Sequence, residues 1–363
     1  MDFVLLTPDP EGAKFLLMNR DVYKKSVLVA PDVAQILTKH VLGLNGEDWK
    51  RHRSVVNNGF VTSAYKSYYP AFNQMTQRFI SKLPLEVDFN ISPLLSKFTL
   101  DLLGQSIFQY DFNNLNHEED PNYKAYQTLF NASTSSFTVL LTQLFPHYFH
   151  LLPLAITKTY LKALSTIKAL FDKVIQTHQT SKLQRQDVLE NLLASHNART
   201  LSDVELYSNI WVLFLAGHET TSTALSYAFY ELAKNQDIQE KLRQVVLKEI
   251  PEEDGVPQME SMLDPPPYLD AFVKENLRHH PPAPFAPSRK CDHDLHFNGQ
   301  PCLLGRGWGL TYGASTTIHS TGRTPLHSNQ RGSYQRTGRD TTNLLTCPSR
   351  WDQDSALGMI SQR

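Results

Sequence analysis

The sequence predicts a mainly α-helical fold with a small β component, and three observations carry that expectation. Between Pro10 and Arg278 most segments place apolar residues three and four apart, the spacing of one helix face. Runs of alternating β-branched residues are scarce. The breaks between periodic segments are polar or Pro-rich, as helix ends require.

Taken in order, a short strand is expected at 3–6 and another at 27–29, where apolar residues cluster without helical spacing. Helices are expected at 64–82, 94–108, 157–178, 202–234, 238–250 and 268–278. Breaks fall at 113–121, 177–186 and 251–267. A third strand is expected at 295–297, running into an Asn298-Gly299 turn.

The length, 363 residues, is enough to bury a sizeable core. With 35 basic against 36 acidic residues, the chain is neither a basic nucleic-acid binder nor a disordered polyelectrolyte. Its three cysteines, Cys291, Cys302 and Cys347, form no Cys-x-x-Cys pair and no disulfide framework, which fits a reducing, cytosol-facing setting. The residues after Met1 form neither a signal peptide nor a membrane anchor. The apolar stretch 138–156 is interrupted by Pro146, Pro153, His147 and His150, which suits lying on a bilayer better than crossing one.

Three motifs carry chemistry. The first is Ala216-Gly217-His218-Glu219-Thr220-Thr221, inside a long apolar helix. A helix-interior Gly costs about 1 kcal/mol relative to Ala, and Glu, Thr and Thr suit a buried face only if something uses them. A kinked helix with a solvent-facing His-Glu pair is the plain alternative. A zinc protease is excluded, because the second His it needs at position 222 is Ser222. The second motif is Glu275-Asn276-Leu277-Arg278, whose charges share a helix face and can pair, ahead of the Pro-rich stop His279-His280-Pro281-Pro282 and of Ser288-Arg289. The third is Trp49-Lys50-Arg51-His52-Arg53, with Trp49 and Arg53 four apart, an indole beside a guanidinium fork that suits a planar ligand bearing carboxylates.

In this order and spacing the motifs resemble those of the cytochrome P450 family, over about residues 2–300. The resemblance implies a helical prism with a small sheet, holding heme b between the long central helix and a proximal Cys loop. It implies a monooxygenase that inserts one oxygen atom of dioxygen into an apolar substrate, with NADPH-derived electrons from a partner reductase. By the same resemblance Trp49, Arg53 and Arg289 hold heme propionates, and Glu219 and Thr220 face dioxygen and relay protons. Ala216 and Gly217 leave dioxygen room, and Glu275 with Arg278 forms a buried structural ion pair. His218 and Thr221 receive no role. Intact relatives of this style sit on the endoplasmic reticulum membrane, facing the cytosol, with an anchor and hinge that would precede Met1; segment 145–154 looks like their lipid-dipping lid loop.

The chain departs from the family at its far end. The Cys loop that supplies the axial thiolate is absent, and Cys347 lacks its flanking Gly and Arg residues. After Gln300 no Lys, Glu, Val or Phe occurs, although the chain has 19 Phe. Back-translating 329–333 and reading from the third base of Asn329 allows Pro-Glu-Arg-Phe, a family segment. The same shift over 348–359 allows Phe-Ser-Val-Gly-Pro-Arg-Leu-Cys-Ile-Gly, whose first Gly is forced by Trp351-Asp352. The expectation is therefore an incomplete domain at 1–299, truncated at both ends, and a frameshifted, non-native or disordered tail at 300–363. No metal ligand is assigned, and the chain as written is expected to be inactive. The rival expectation is a non-catalytic helical binding protein derived from the same fold.

Overall fold

The structure is a computed structural model describing residues 4–311 except 8–9, 26–36, 85–86, 118–119, 146, 181–186, 254–255, 284, 292–294, 298–299 and 303–306. In chain order the elements begin with β1 (Val4–Thr7), α1 (Pro10–Met18) and β2 (Tyr23–Lys25). Helices α2 (Gly46–Asn57), α3 (Thr62–Ile80), α4 (Ile91–Leu103), α5 (Pro121–Thr134), α6 (Ser136–Leu144), α7 (Ala155–Thr180), α8 (Val188–Asn197), α9 (Asp203–Lys234) and α10 (Gln236–Glu249) follow. Then come β3 (Glu252–Glu253), β4 (Val256–Pro257), α11 (Met259–Leu263), α12 (Pro267–His279), β5 (Phe285–Cys291), β6 (Leu295–Phe297), β7 (Gln300–Cys302) and β8 (Gly307–Thr311).

The described residues form two compact units, those within 27–223 and those within 1–26 and 224–311, and the division falls inside α9. The helical unit 27–223 is built on one apolar core. Phe108, Tyr126, Phe171 and Phe214, all nearly inaccessible to solvent, mesh at ring-centroid separations of 5.2–6.3 Å, within the range of favourable edge and tilted contacts. Helix α4 passes without a break into a π-turn, Gly104–Phe108. Gly104 is required there, because a Cβ would lie 2.5 Å from the Tyr110 carbonyl oxygen.

The second unit holds a four-stranded mixed sheet in the order β1-β8-β5-β2. β1 and β8 run parallel, with Val4 opposite Gly307, and the other pairs are antiparallel. β6 and β7 pair with Phe297 opposite Gln300. A smaller core of Ile238, Leu242, Tyr268 and Phe272 joins α10 to α12.

The six expected helices all form, with ends shifted by a few residues, and the strands expected at 3–6 and 295–297 appear at Val4–Thr7 and Leu295–Phe297. Residues 27–29 and the Asn298-Gly299 turn lie outside the described residues. Beyond residue 299 the described residues include β7 and β8, and β8 is the inner partner of both β1 and β5.

Candidate active site on the long helix

Helix α9 starts on a capping box. Ser202 Oγ accepts from the Glu205 backbone N–H (3.4 Å), and the Glu205 carboxylate accepts from the Ser202 backbone N–H (2.8 Å). That carboxylate also receives both arms of the Arg51 guanidinium, at 2.6 and 3.2 Å. The Arg51 contact holds Glu205 far below the usual carboxylate range. His52, fully buried on α2, lies between Glu205 and the Asn209 amide, which donates to His52 Nδ1 (2.8 Å) and accepts from the Val41 N–H (3.1 Å). α2 is thus fastened to the first two turns of α9.

This fastening sorts the basic residues of the Trp49–Arg53 segment. Arg51 is consumed by Glu205, Asp48 and the Thr200 carbonyl. Arg53 is exposed and makes no ion pair or hydrogen bond with any described residue, and Trp49 is half-buried one turn away. An uncommitted guanidinium beside an indole fits an anionic group on a planar ligand.

Further along α9 the chain opens its hydroxyls back onto the helix: Thr220 donates to the Ala216 carbonyl (2.7 Å), Thr221 to that of Gly217 (2.8 Å) and Ser222 to that of Glu219 (3.1 Å). Ala216 is exposed and Thr220 half-buried, one turn apart on the same face. A Cβ at Gly217 would sit 2.5 Å from Leu103 Cδ1, so the glycine lets α9 approach α4 closely.

Glu219 is the acid of this turn, with its carboxyl 29% exposed. Its Oε1 accepts from the Tyr126 hydroxyl of α5 at 3.0 Å. Partial burial pushes its pKa up, and the Tyr126 hydrogen bond works the other way. His218, given no role by the sequence, is fully buried with Nδ1 3.1 Å from the Tyr126 oxygen and Nε2 2.9 Å from Ser96 Oγ of α4. Burial pushes this imidazole down to about 4, so it is neutral at physiological pH. Its partners Tyr126 and Ser96 lie 92 and 122 residues away in the chain, so no local signal marks them.

In the other unit, Arg278 grips Glu275 through Nε and a terminal nitrogen, both at 2.9 Å, with side chains 7% and 5% exposed. His279 adds a contact of 3.2 Å to the same carboxylate. Asn276 ties α12 to α9 by donating to the Ala224 carbonyl (3.0 Å). Arg289 lies on β5, buried, opposite Lys25 of β2, and donates to the Tyr23 carbonyl at 3.4 Å. The structure therefore joins Glu219 to the α4–α5 hydroxyls and places Trp49 and Arg53 on α2, whereas Glu275, Arg278 and Arg289 belong to the sheet-bearing unit.

A family model for cytochrome P450 matches residues 3–306. The chain belongs to the cytochrome P450 family. Among curated relatives, Cytochrome P450 3A12 of Canis lupus familiaris is 28% identical over 315 residues, covering 82% of this chain and 61% of its own length. Cytochrome P450 monooxygenase 205 of Postia placenta is 28% identical over 310 residues, covering 77% of this chain and 56% of its own. The chain thus spans about three fifths of the length of these P450 relatives. Among solved structures, a retinoic acid-bound cyanobacterial CYP120A1 superposes with a TM-score of 0.69 at 21% identity, over 87% of this chain and 68% of that one. Members of the P450 family carry heme iron and draw electrons from a redox partner.

The donor set agrees with heme on the cationic side through Arg53. For the axial thiolate, Cys347 lies outside the described residues, and Cys291 and Cys302 are strand residues of β5 and β7. No helix among the described residues is long and apolar enough to cross a membrane.

Proposed function

We propose that the chain is the larger part of a heme-dependent monooxygenase, read out of frame near its end, and that Glu219 and Thr220 deliver protons to reducing dioxygen. One observation carries this: Glu219 is an acid held by a hydroxyl donor, next in sequence to a threonine hydroxyl on the exposed Ala216–Thr220 face of α9. Trp49, Arg53 and Arg289 would hold the propionates of the heme, with Glu275 and Arg278 bracing the sheet-bearing unit. Heme, when bound, supplies the iron at which dioxygen is reduced with electrons derived from NADPH through a partner reductase. The chain's contribution is to move protons. A carboxyl whose pKa is raised by burial keeps its proton to higher pH than an exposed one, and Thr220, whose own proton rests on the Ala216 carbonyl, offers its oxygen to a neighbouring water.

The substrate is an apolar small molecule, and no nucleic acid is involved. The exposed Phe145, Tyr148, Leu151 and Leu154, held from below by Phe149 against Tyr160 (5.4 Å), suit contact with the cytosolic face of the endoplasmic reticulum membrane. The chain as written lacks the axial Cys loop, so reduced protein under carbon monoxide should show no thiolate-type absorption band. The band should appear once the reading frame is restored near residue 300. In that restored chain Glu219→Gln and Thr220→Ala should slow product formation and divert reducing equivalents to peroxide. A restored chain that binds no heme would overturn this reading in favour of a helical binding protein.

A further inference from the structure

His218 lies at the centre of a continuous chain of hydrogen-bonding groups. Tyr123 Oη is 2.8 Å from Ser96 Oγ, Ser96 Oγ is 2.9 Å from His218 Nε2, His218 Nδ1 is 3.1 Å from Tyr126 Oη, and Tyr126 Oη is 3.0 Å from Glu219 Oε1. The middle is dry: His218 and Tyr126 have no solvent exposure. Both ends are wetter, with Tyr123 and Glu219 only partly buried.

The donor inventory fixes the direction of every bond. An ionised Glu219 can only accept, so Tyr126 must give it its one proton. Tyr126 must then accept from His218, which makes His218 the Nδ1–H tautomer. A neutral imidazole has a single N–H, so Nε2 accepts from Ser96, and Ser96 accepts from Tyr123. When Glu219 takes its proton on Oε1, the oxygen facing Tyr126, it donates to Tyr126, and each bond reverses in turn until His218 is the Nε2–H tautomer and Tyr123 donates outward.

We propose that these five groups form one proton wire in which the protonation state of Glu219 sets the tautomer of His218, with Tyr123 as the end that exchanges protons with water. This deepens the reading of Glu219 as the proton-handling acid and rests on it. In one passage a hydronium gives a proton to Tyr123, and the Tyr123 proton moves to Ser96. The Ser96 proton moves to His218 Nε2, the Nδ1 proton to Tyr126 and the Tyr126 proton to Glu219. Each O–H or N–H bond breaks as the next forms, one proton enters and one arrives, and no electron is transferred. His218 is a positioning residue in this scheme: on the path it is hydrogen-bonded to Tyr126 and Ser96, and its Nδ1 lies 3.6 Å from Glu219 Oε1, beyond hydrogen-bond distance.

Burial supports the scheme. The titratable groups facing His218 are Tyr123 and Tyr126 from α5 and Glu219 from α9, whereas α4 brings only the hydroxyls of Ser96 and Thr99. Desolvation keeps His218 neutral down to about pH 4 while raising Glu219, so the carboxyl titrates while the ring remains a tautomeric switch.

The test is nitrogen NMR of the full 363-residue chain with labelled histidine rings, His218 being assigned by its loss in His218→Gln. Between mildly alkaline and mildly acidic pH, His218 should pass from Nδ1–H to Nε2–H at the midpoint of the Glu219 carboxyl, followed by carbon NMR in the same sample. Tyr126→Phe, which removes one oxygen and keeps the ring, should abolish the switch. A single His218 tautomer throughout the Glu219 titration of the unaltered chain would overturn the wire, as would a switch that persists in Tyr126→Phe. A switch that is present while Glu219→Gln leaves product coupling intact in the frame-restored chain would support the wire and overturn only the catalytic reading of Glu219.

Discussion

Burying an imidazole makes stability depend on pH where desolvation outweighs its neighbours. His218 has a folded value of about 4 against an ordinary 6.5, so between those values the unfolded chain binds more protons. Its contribution is complete above pH 6.5 and is lost as pH falls toward 4, by about 3 kcal/mol in all. Glu219 acts in the opposite sense, because its raised value favours the folded state only while the carboxyl keeps its proton. Urea titrations at pH 7 and 4.5 should therefore show a smaller acid loss in His218→Gln than in the parent; equal losses would count against burial of a neutral ring. Arg278→Ala is expected to lower the thermal midpoint sharply, since it strands the Glu275 carboxylate at a cost of about 3–5 kcal/mol. At this scale the Glu275–Arg278 pair is legible in the sequence, because it lies in local spacing. The Tyr126 and Ser96 partners of α9 are not, because they meet it only after folding, and neither is the contact of Gly217 with Leu103, 114 residues away in the chain.

Long helices announce themselves, whereas only some of the short elements do. α7 and α9 repeat their apolar face over many turns, so their existence was readable to within three residues at each end. α5 fell against an expected break, although its Asp120 cap and Pro121 at the first helical position are start signals in themselves. β2 and β5 lack alternation, and pairing partners distant in the chain hold them in place. The start of α9 offers a test at this scale. Ser202→Ala removes one half of the capping box and should cost about 1 kcal/mol in chemical denaturation. The loss should be smaller when Glu205 is already Gln, because the Glu205 carboxylate is shared between the cap and Arg51. Additive losses would show that the cap and the α2 anchor act separately.

For the molecule as a whole, the mainly helical fold was legible from periodicity alone, whereas the layout of the sheet was not. Its order β1-β8-β5-β2 draws on both extremes of the described chain, and no local pattern encodes such distant pairing. A chain ending at Gln300 would leave β1 without its partner and turn β5 into an edge. Hydrogen exchange should then find the amides of Val4–Thr7 unprotected while those buried in α7 keep their protection. Protection of β1 that survives the cut would show that β8 contributes nothing to it.

The pairing of Val4 with Gly307 and of Lys25 with Arg289 also sets an order of events at the ribosome. At about 5–20 residues per second, strand β1 waits roughly 15–60 s for β8 to be synthesised. The core within residues 27–223 is closed by residues of that span, so it can fold while β1 is still unpaired. The newborn chain therefore carries an unmatched strand until β8 is made, the interval in which a holdase would find the most to bind.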